Sequence, residues 1–145
     1  QRPGCAANAT NLVYNATAPN NVQPFPSSTL HKKSIETSDA PIIISSALDN
    51  TIKIWNTATG ACLKTLFGHV QGIWGLAFDK LRIVSGSHDK TIRVWDTETA
   101  TCLYALEGHN GPVTAIALSD TKIISASDDG EVKIWDFGFN NNVNK

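Results

Sequence analysis

The sequence predicts an all-β chain assembled from repeated four-stranded units. Three observations carry that reading. First, the chain nearly repeats itself every 40 residues: Ile43-Ile44-Ser45-Ser46-Ala47-Leu48-Asp49-Asn50-Thr51-Ile52-Lys53-Ile54-Trp55 returns as Ile83-Val84-Ser85 through Arg93-Val94-Trp95, and again as Ile123-Ile124-Ser125 through Lys133-Ile134-Trp135. Second, Cys62-Leu63, Leu66 and Gly68-His69 return as Cys102-Leu103, Leu106 and Gly108-His109. Third, from Pro41 onward short β-branched runs alternate with Gly, Asp, Asn, Ser and Thr, which is the pattern of strands separated by turns.

A period of about 40 residues carrying a Gly-His and a Trp-Asp mark indicates four-stranded propeller blades. The fold class is therefore all-β, a partial β-propeller of about two and a half to three blades from a larger ring, since propellers close with roughly 4–8 blades. Strands are expected, in order, at 42–46, 51–55, 62–66, 73–78, 82–86, 91–95, 102–106, 113–118, 122–126 and 131–135. Asp79-Lys80 and Asp120-Thr121 suit tight hairpin turns, and Asn56-Thr57-Ala58-Thr59 and Asp96-Thr97-Glu98-Thr99 mark another turn. After Trp135-Asp136 no Cys-Leu-x-x-Leu strand follows. The last blade thus needs an outer strand from elsewhere, because sheet edges must be paired or covered.

Residues 1–40 differ in kind. They are rich in Asn, Ala, Thr, Pro and Ser and show no periodicity. Such a segment buries too little apolar surface to offset its ordering entropy, so it is expected to be a disordered polar insert or linker. The domain reading is 1–40 insert, 41–139 repeats and 140–145 polar tail. With no Met in the chain, it is read as the C-terminal part of a longer protein.

Net charge is −1 and charged residues make up 17%. No basic field or polybasic run is present to draw in nucleic acid or lipid, and no apolar stretch of ~18 residues could span a membrane. Cys62 and Cys102 occupy the same place in successive repeats. On different blades they would lie too far apart to bridge. Free thiols suggest a reducing compartment, hence a cytoplasmic or nuclear protein.

Within each repeat an Asp lies four residues after a Ser and six before a Trp, and in the second and third a His lies 20 before the Asp. This yields two structural tetrads: His69, Ser85, Asp89 and Trp95, then His109, Ser125, Asp129 and Trp135. A turn Asp can accept from backbone N–H groups and an imidazole, the imidazole from a Ser hydroxyl, and the Ser oxygen from the donor-only indole. Ser, His and Asp together also resemble a hydrolase triad with Ser85 or Ser125 as nucleophile. Against this, the set occurs twice in register, the Trp would cover the Ser, and no Gly-x-Ser-x-Gly elbow exists. Nor is there a Cys-x-x-Cys, a His-x-x-x-His or a Gly-rich phosphate loop. No catalytic, metal or cofactor site is expected, and the chain is read as non-catalytic.

Recognition usually falls to exposed loops on a rigid scaffold. In a propeller the mouth of the central channel is lined near the start of each inner strand and just before the turn Asp. Those positions are Leu48, Gly72, Trp74, His88, Pro112, Thr114 and Asp128. Trp74 breaks the register of the other Trp residues. It is either a binding anchor or a contact between blades. A phosphate-reading Arg cluster is not expected, because Arg82 and Arg93 lie away from the mouth.

Leu66-Phe67-Gly68-His69, Gly86-Ser87-His88-Asp89-Lys90-Thr91-Ile92-Arg93-Val94-Trp95-Asp96 and Leu106-Glu107-Gly108-His109 resemble the WD-repeat family. Ser46-Ala47-Leu48-Asp49 through Trp55, Thr65 through Trp74 and Leu81 through Gly86 are similar to the end of the fungal F-box/WD sulfur-controller proteins. That resemblance implies a substrate receptor of an SCF-type ubiquitin ligase. Its partners would be a transcription factor of sulfur assimilation, held by the propeller, and a Skp-type adaptor docked by an F-box outside this chain. The resemblance also implies that residues 1–40 are an insert within the propeller. The alternative is another intracellular WD scaffold, in signalling, membrane fission or RNA processing.

Overall fold

The computed structural model describes residues 13–17 and 41–138. Their strands are β1 (Val13–Thr17), β2 (Ile42–Ser46), β3 (Ile52–Asn56), β4 (Cys62–Leu66), β5 (Ile73–Phe78), β6 (Arg82–Ser87), β7 (Ile92–Asp96), β8 (Cys102–Leu106), β9 (Val113–Leu118), β10 (Lys122–Ser127) and β11 (Val132–Asp136). Among the described residues there is no helix, and so none long enough to cross a membrane. The strands make three sheets: blade 1 is β2-β3-β4, blade 2 is β5-β6-β7-β8, and blade 3 is β9-β10-β11 with β1 beside β11. The all-β, partial-propeller reading stands.

The third strand of each repeat begins one residue later than its β-branched run suggests. Thr51, Thr91 and Glu131 give their N–H groups to the Oδ1 atoms of Asp49, Asp89 and Asp129, at 3.0, 3.0 and 2.9 Å. Those residues therefore belong to the turn, not the ladder. The turn after each third strand is built by an Asx side chain: Asn56 Oδ1 accepts from the N–H groups of Ala58 and Thr59, and Asp96 Oδ1 from that of Thr99. Both turns close through a left-handed residue, Gly60 at φ 70° and Ala100 at φ 59°. Ala100 pays a steric cost there that glycine does not.

Alternation divides each sheet into two faces. Val84, Ile92, Val94 and Leu106 on the rear of blade 2 pack against Val113, Ile123 and Trp135 on the front of blade 3, with Phe137. On the other side, Ile73, Ile83 and Trp95 on the front of blade 2 pack against Ile44, Ile52, Ile54 and Leu66 on the rear of blade 1. Blade 2 is thus buried on both faces, and all six residues of β6 are buried. Gly86 lets the inner strand of blade 3 approach: a Cβ built there would lie 2.5 Å from Val113 Cγ1. Arg82 adds a polar clamp between blades 2 and 3. It pairs with Asp79 through Nε (3.0 Å) and Nη2 (2.5 Å), and donates to the carbonyls of Ser119 and Asp120 at 3.3 Å each.

One element departs from the sequence reading. The polar segment 1–40 is expected to lack regular structure, yet Val13–Thr17 form β1, running parallel to β11 with Val13 opposite Val132 and Thr17 opposite Asp136. It occupies the edge where an outer strand is required, although β8 meets β7 antiparallel. A stretch of five residues, Val-Tyr-Asn-Ala-Thr, is too short to display the alternation that marks a strand. The expectation of disorder for 1–12 and 18–40, and of a polar tail for 140–145, lies outside the described residues.

Candidate functional site

Each tetrad ties the loop entering an inner strand to the two strands beyond it. In blade 2, Asp89 Oδ2 accepts from His69 Nδ1–H at 2.9 Å and from Val70 N–H at 3.1 Å. His69 Nε2 lies 2.8 Å from Ser85 Oγ, which also accepts from Trp95 Nε1–H at 2.9 Å. The indole can only donate and the ionised carboxylate can only accept. These constraints assign the proton to Nδ1 and make Nε2 the acceptor of the Ser85 hydroxyl. In blade 3 the corresponding separations are 2.9 Å (His109–Asp129), 2.8 Å (His109–Ser125) and 3.0 Å (Trp135–Ser125). Blade 1 keeps only the outer part of the pattern: Trp55 Nε1–H donates to Ser45 Oγ at 2.9 Å, on an exposed face.

The electrostatics follow from this wiring. Burial pushes the Asp89 carboxyl up, but hydrogen bonds from Thr91, His69 and Val70 outweigh it and hold the group at about 2. Burial likewise raises Asp129, and donation from the Glu131 and Asn110 N–H groups and from His109 brings it down to about 2. Burial lowers His69 below its ordinary 6.5, against the pull of Asp89. The His69 imidazole is therefore neutral at pH 7, as the assigned tautomer requires.

Ser85 and Ser125 are fully buried, and each oxygen is already engaged by an indole and an imidazole. The His–Ser approach of a triad is present, but the serine faces a tryptophan rather than a cleft. His109, Asp129 and Glu131 bring potential metal-ligand atoms within 4.8 Å of one another. His109 and Asp129 are spent on each other, and Glu131 pairs with Lys133 at 2.8 Å. Blade 2 carries Thr91 in place of Glu131. The cluster is thus a tetrad with one additional, neutralised carboxylate.

The seven positions expected at the mouth lie in the turns and inner-strand starts at one end of the sheets. His88 N–H donates to the Gly72 carbonyl at 2.9 Å and Asp128 N–H to that of Pro112 at 3.0 Å. Ile73 N–H donates to Ala47, joining the Leu48 turn of blade 1 to blade 2. The contact is close: a Cβ at Gly72 would lie 2.8 Å from Leu48 Cδ2. Trp74 sits in a register shift of β5, between the pairs Ile73–Ser87 and Gly75–Gly86. A bulge of this kind re-aims a side chain, and Trp74 is 57% exposed; Leu48 is 70% exposed. Thr114 occupies the same shift in β9 and turns its hydroxyl to the Ala126 carbonyl at 3.4 Å. His88 Nδ1 meets Gln71 Oε1 at 2.8 Å. Among neighbouring residues the sequence reading passed over, Val70 is 75% and Phe67 74% exposed. Cys62 and Cys102 are free and exposed on the outer strands.

Repeated blades, pinned by buried His–Asp–Ser–Trp networks and gathering their loops at one end, define a propeller-type scaffold. The family model for the WD domain, G-beta repeat, matches residues 28–56, 60–96 and 100–136. The chain belongs to the WD40-repeat family. A probable E3 ubiquitin ligase complex SCF subunit, sconB, from Aspergillus niger is 61% identical over 41 residues, covering 28% of this chain and 6% of the relative. The sconB protein of Talaromyces marneffei is 58% identical over the same length and shares. These matches span only a small part of the relatives' length. Among solved structures, the computationally designed Ika4 protein is 43% identical with a TM-score of 0.63, covering 67% of this chain and 61% of that one. The designed Ika8 protein is 43% identical with a TM-score of 0.62, covering 66% and 30%.

Proposed function

We propose that this chain is the recognition module of an F-box/WD substrate receptor of an SCF ubiquitin ligase that regulates sulfur metabolism. The observation that carries the reading is the 61% identity to an SCF subunit, in a chain whose repeats form rigid, tetrad-held blades. The module is non-catalytic and acts in the cytoplasm or nucleus. A transcription factor of sulfur assimilation is held at the mouth, where Leu48 and Trp74 supply the apolar anchor and His88, Pro112, Thr114 and Asp128 the rim. Gly72 allows the Leu48 turn to seat against blade 2. Arg82 is committed to its clamp, so a phosphate on the target would have to be read by residues beyond these blades. A Skp-type adaptor binds elsewhere in the full-length protein.

The test is to purify the full-length protein from its own organism and identify what travels with it by mass spectrometry. The reading expects a Skp-type adaptor and a cullin. Recovery of neither, from cells that contain both, would overturn the ligase assignment and leave a general WD40 scaffold.

A further inference from the structure

The two connections that join one blade to the next share a backbone and differ in surface. The first, 67–72, leaves β4, the outer strand of blade 1, and enters β5, the inner strand of blade 2; the second, 107–112, runs from β8 to β9 in the same way. Both are fastened alike. Val70 N–H and Asn110 N–H donate to the turn Asp of the blade they enter, at 3.1 and 2.8 Å. The Gly72 and Pro112 carbonyls accept from His88 N–H and Asp128 N–H at 2.9 and 3.0 Å. Yet Phe67, Val70 and Trp74 stand where the second connection and its strand have Glu107, Asn110 and Thr114. All three apolar side chains are exposed. The polar set serves the same backbone, so packing does not call for the apolar one. Apolar residues grouped on a surface mark an interaction site, and this one is flanked by blade 1 on one side and blade 2 on the other.

The turn beside this connection adds charge. It is held there by Ser87 Oγ, which donates to the Gln71 and Gly72 carbonyls at 2.9 and 3.0 Å, and by His88 Nδ1 with Gln71 Oε1. Asp89 is turned inward, its carboxylate engaged by His69, Val70 and Thr91. His88 and Lys90 are the exposed groups of this turn. The position of Lys90 is left-handed in all three blades: Asn50 at φ 71°, Lys90 at 72° and Gly130 at 83°. Asn and Gly suit that backbone better than lysine, so the turn has no structural need of the ammonium group. In blade 1 the turn carboxylate, Asp49, accepts from the Thr51 N–H and hydroxyl at 3.0 and 2.7 Å.

We infer that the connection between blades 1 and 2 binds an extended, acidic segment of a protein partner. Apolar side chains of that segment seat along Phe67, Val70 and Trp74, and a carboxylate beside them meets Lys90. The inference rests on the reading of the mouth as the face that holds a partner, and it carries the contact from Trp74 outward to the edge of blade 1. The surface is fixed before binding, because the bonds to Val70, Gln71 and Gly72 lock the connection to the turn. A preorganised surface loses less entropy on association.

The test selects a phage-displayed library of short random peptides on the immobilised full-length protein. Two variants use residue types that the sister blades already accept: Phe67→Glu with Val70→Asn, as in the second connection, and Lys90→Asn, as in the first turn. Circular dichroism and the urea midpoint check that both fold. Selected peptides are expected to combine large apolar residues with an excess of Asp and Glu. The double variant should weaken the best of them by about tenfold or more. Lys90→Asn should weaken it by about two- to fivefold at low salt and flatten its salt dependence. Recovery of no peptide, or of peptides that bind the double variant as well as wild type, would overturn the site. Peptides without an acidic excess, or indifferent to Lys90→Asn, would overturn the partner chemistry. Neither adaptor nor cullin takes part in the selection, so its failure is distinct from failure of the ligase assignment.

Discussion

Replacing Ser85 by Ala removes one oxygen and strands one buried donor, the Trp95 indole N–H, and one buried acceptor, His69 Nε2. Ser85 Oγ accepts from Trp95 Nε1–H at 2.9 Å and engages His69 Nε2 at 2.8 Å, in a residue with no solvent exposure. A methyl group satisfies neither partner. Leaving a buried polar group unpaired costs about 1–3 kcal/mol. With two groups affected and some relaxation, the loss is about 2–4 kcal/mol, a large part of the roughly 5–15 kcal/mol by which domains are stable. In a repeat region of about a hundred residues each kcal/mol moves Tm by about 4–8 °C, so a fall of roughly 8–32 °C is expected. Ser45→Ala is the internal control: it breaks the same indole bond at 2.9 Å on an exposed face, where water replaces the hydroxyl, and should cost less than about 0.5 kcal/mol. The assay is urea and thermal unfolding followed by tryptophan fluorescence and circular dichroism. Equal losses for the two variants, or a loss below about 1 kcal/mol for Ser85→Ala, would refute the argument that burial gives the tetrad its weight.

The other expectations follow from the same packing. Gly86→Ala places a methyl group 2.5 Å from Val113 Cγ1 and should cost about 1–3 kcal/mol by overpacking, read from the urea midpoint; an unchanged midpoint would show that blades 2 and 3 separate freely. Arg82→Met keeps the stem but loses the Asp79 pair and the bonds to Ser119 and Asp120, at about 1.5–3 kcal/mol, and hydrogen exchange in β9 and β10 should accelerate. Stability should fall on acidification in two stages. His69 is lowered below 6.5, so the unfolded chain takes up that proton first, and the stability present above pH 6.5 is lost as pH falls through its folded value. Asp89 and Asp129, at about 2 against 3.8, contribute stability above pH 3.8 that is lost on the way down to about 2. A stability that stays flat from pH 7 to 3 would contradict both assignments.

Much of this was legible because the chain writes the same instruction several times. Repetition exposed the ten strands from β2 to β11, with β3, β7 and β11 starting one residue late because the turn Asp claims the N–H that would open the strand. The four partners of each tetrad could be named from their recurring spacing, and their donor and acceptor types explain the choice of residues. Trp74 was visible as a residue out of register, but its exposure depends on a bulge that no local pattern announces. Arg82 was harder still. Its repeat counterparts are Ile42 and Lys122, and only the packed structure brings the Ser119 and Asp120 carbonyls to it. β1 escaped altogether, since a parallel partner more than a hundred residues away along the chain leaves no trace in five polar-leaning residues.

The most direct test of the receptor account is the affinity of the full-length protein for the sulfur-assimilation transcription factor of its own organism. Wild type would be compared with Trp74→Ala and with Phe78→Ala, at opposite ends of β5. Trp74 is 57% and Phe78 49% exposed, so general hydrophobic contact would not distinguish them. If the mouth holds the partner, Trp74→Ala should weaken binding by about tenfold or more, as a central aromatic anchor does, and Phe78→Ala should leave it unchanged. Equal effects from both, or a loss confined to Phe78→Ala, would place the partner elsewhere and contradict the account.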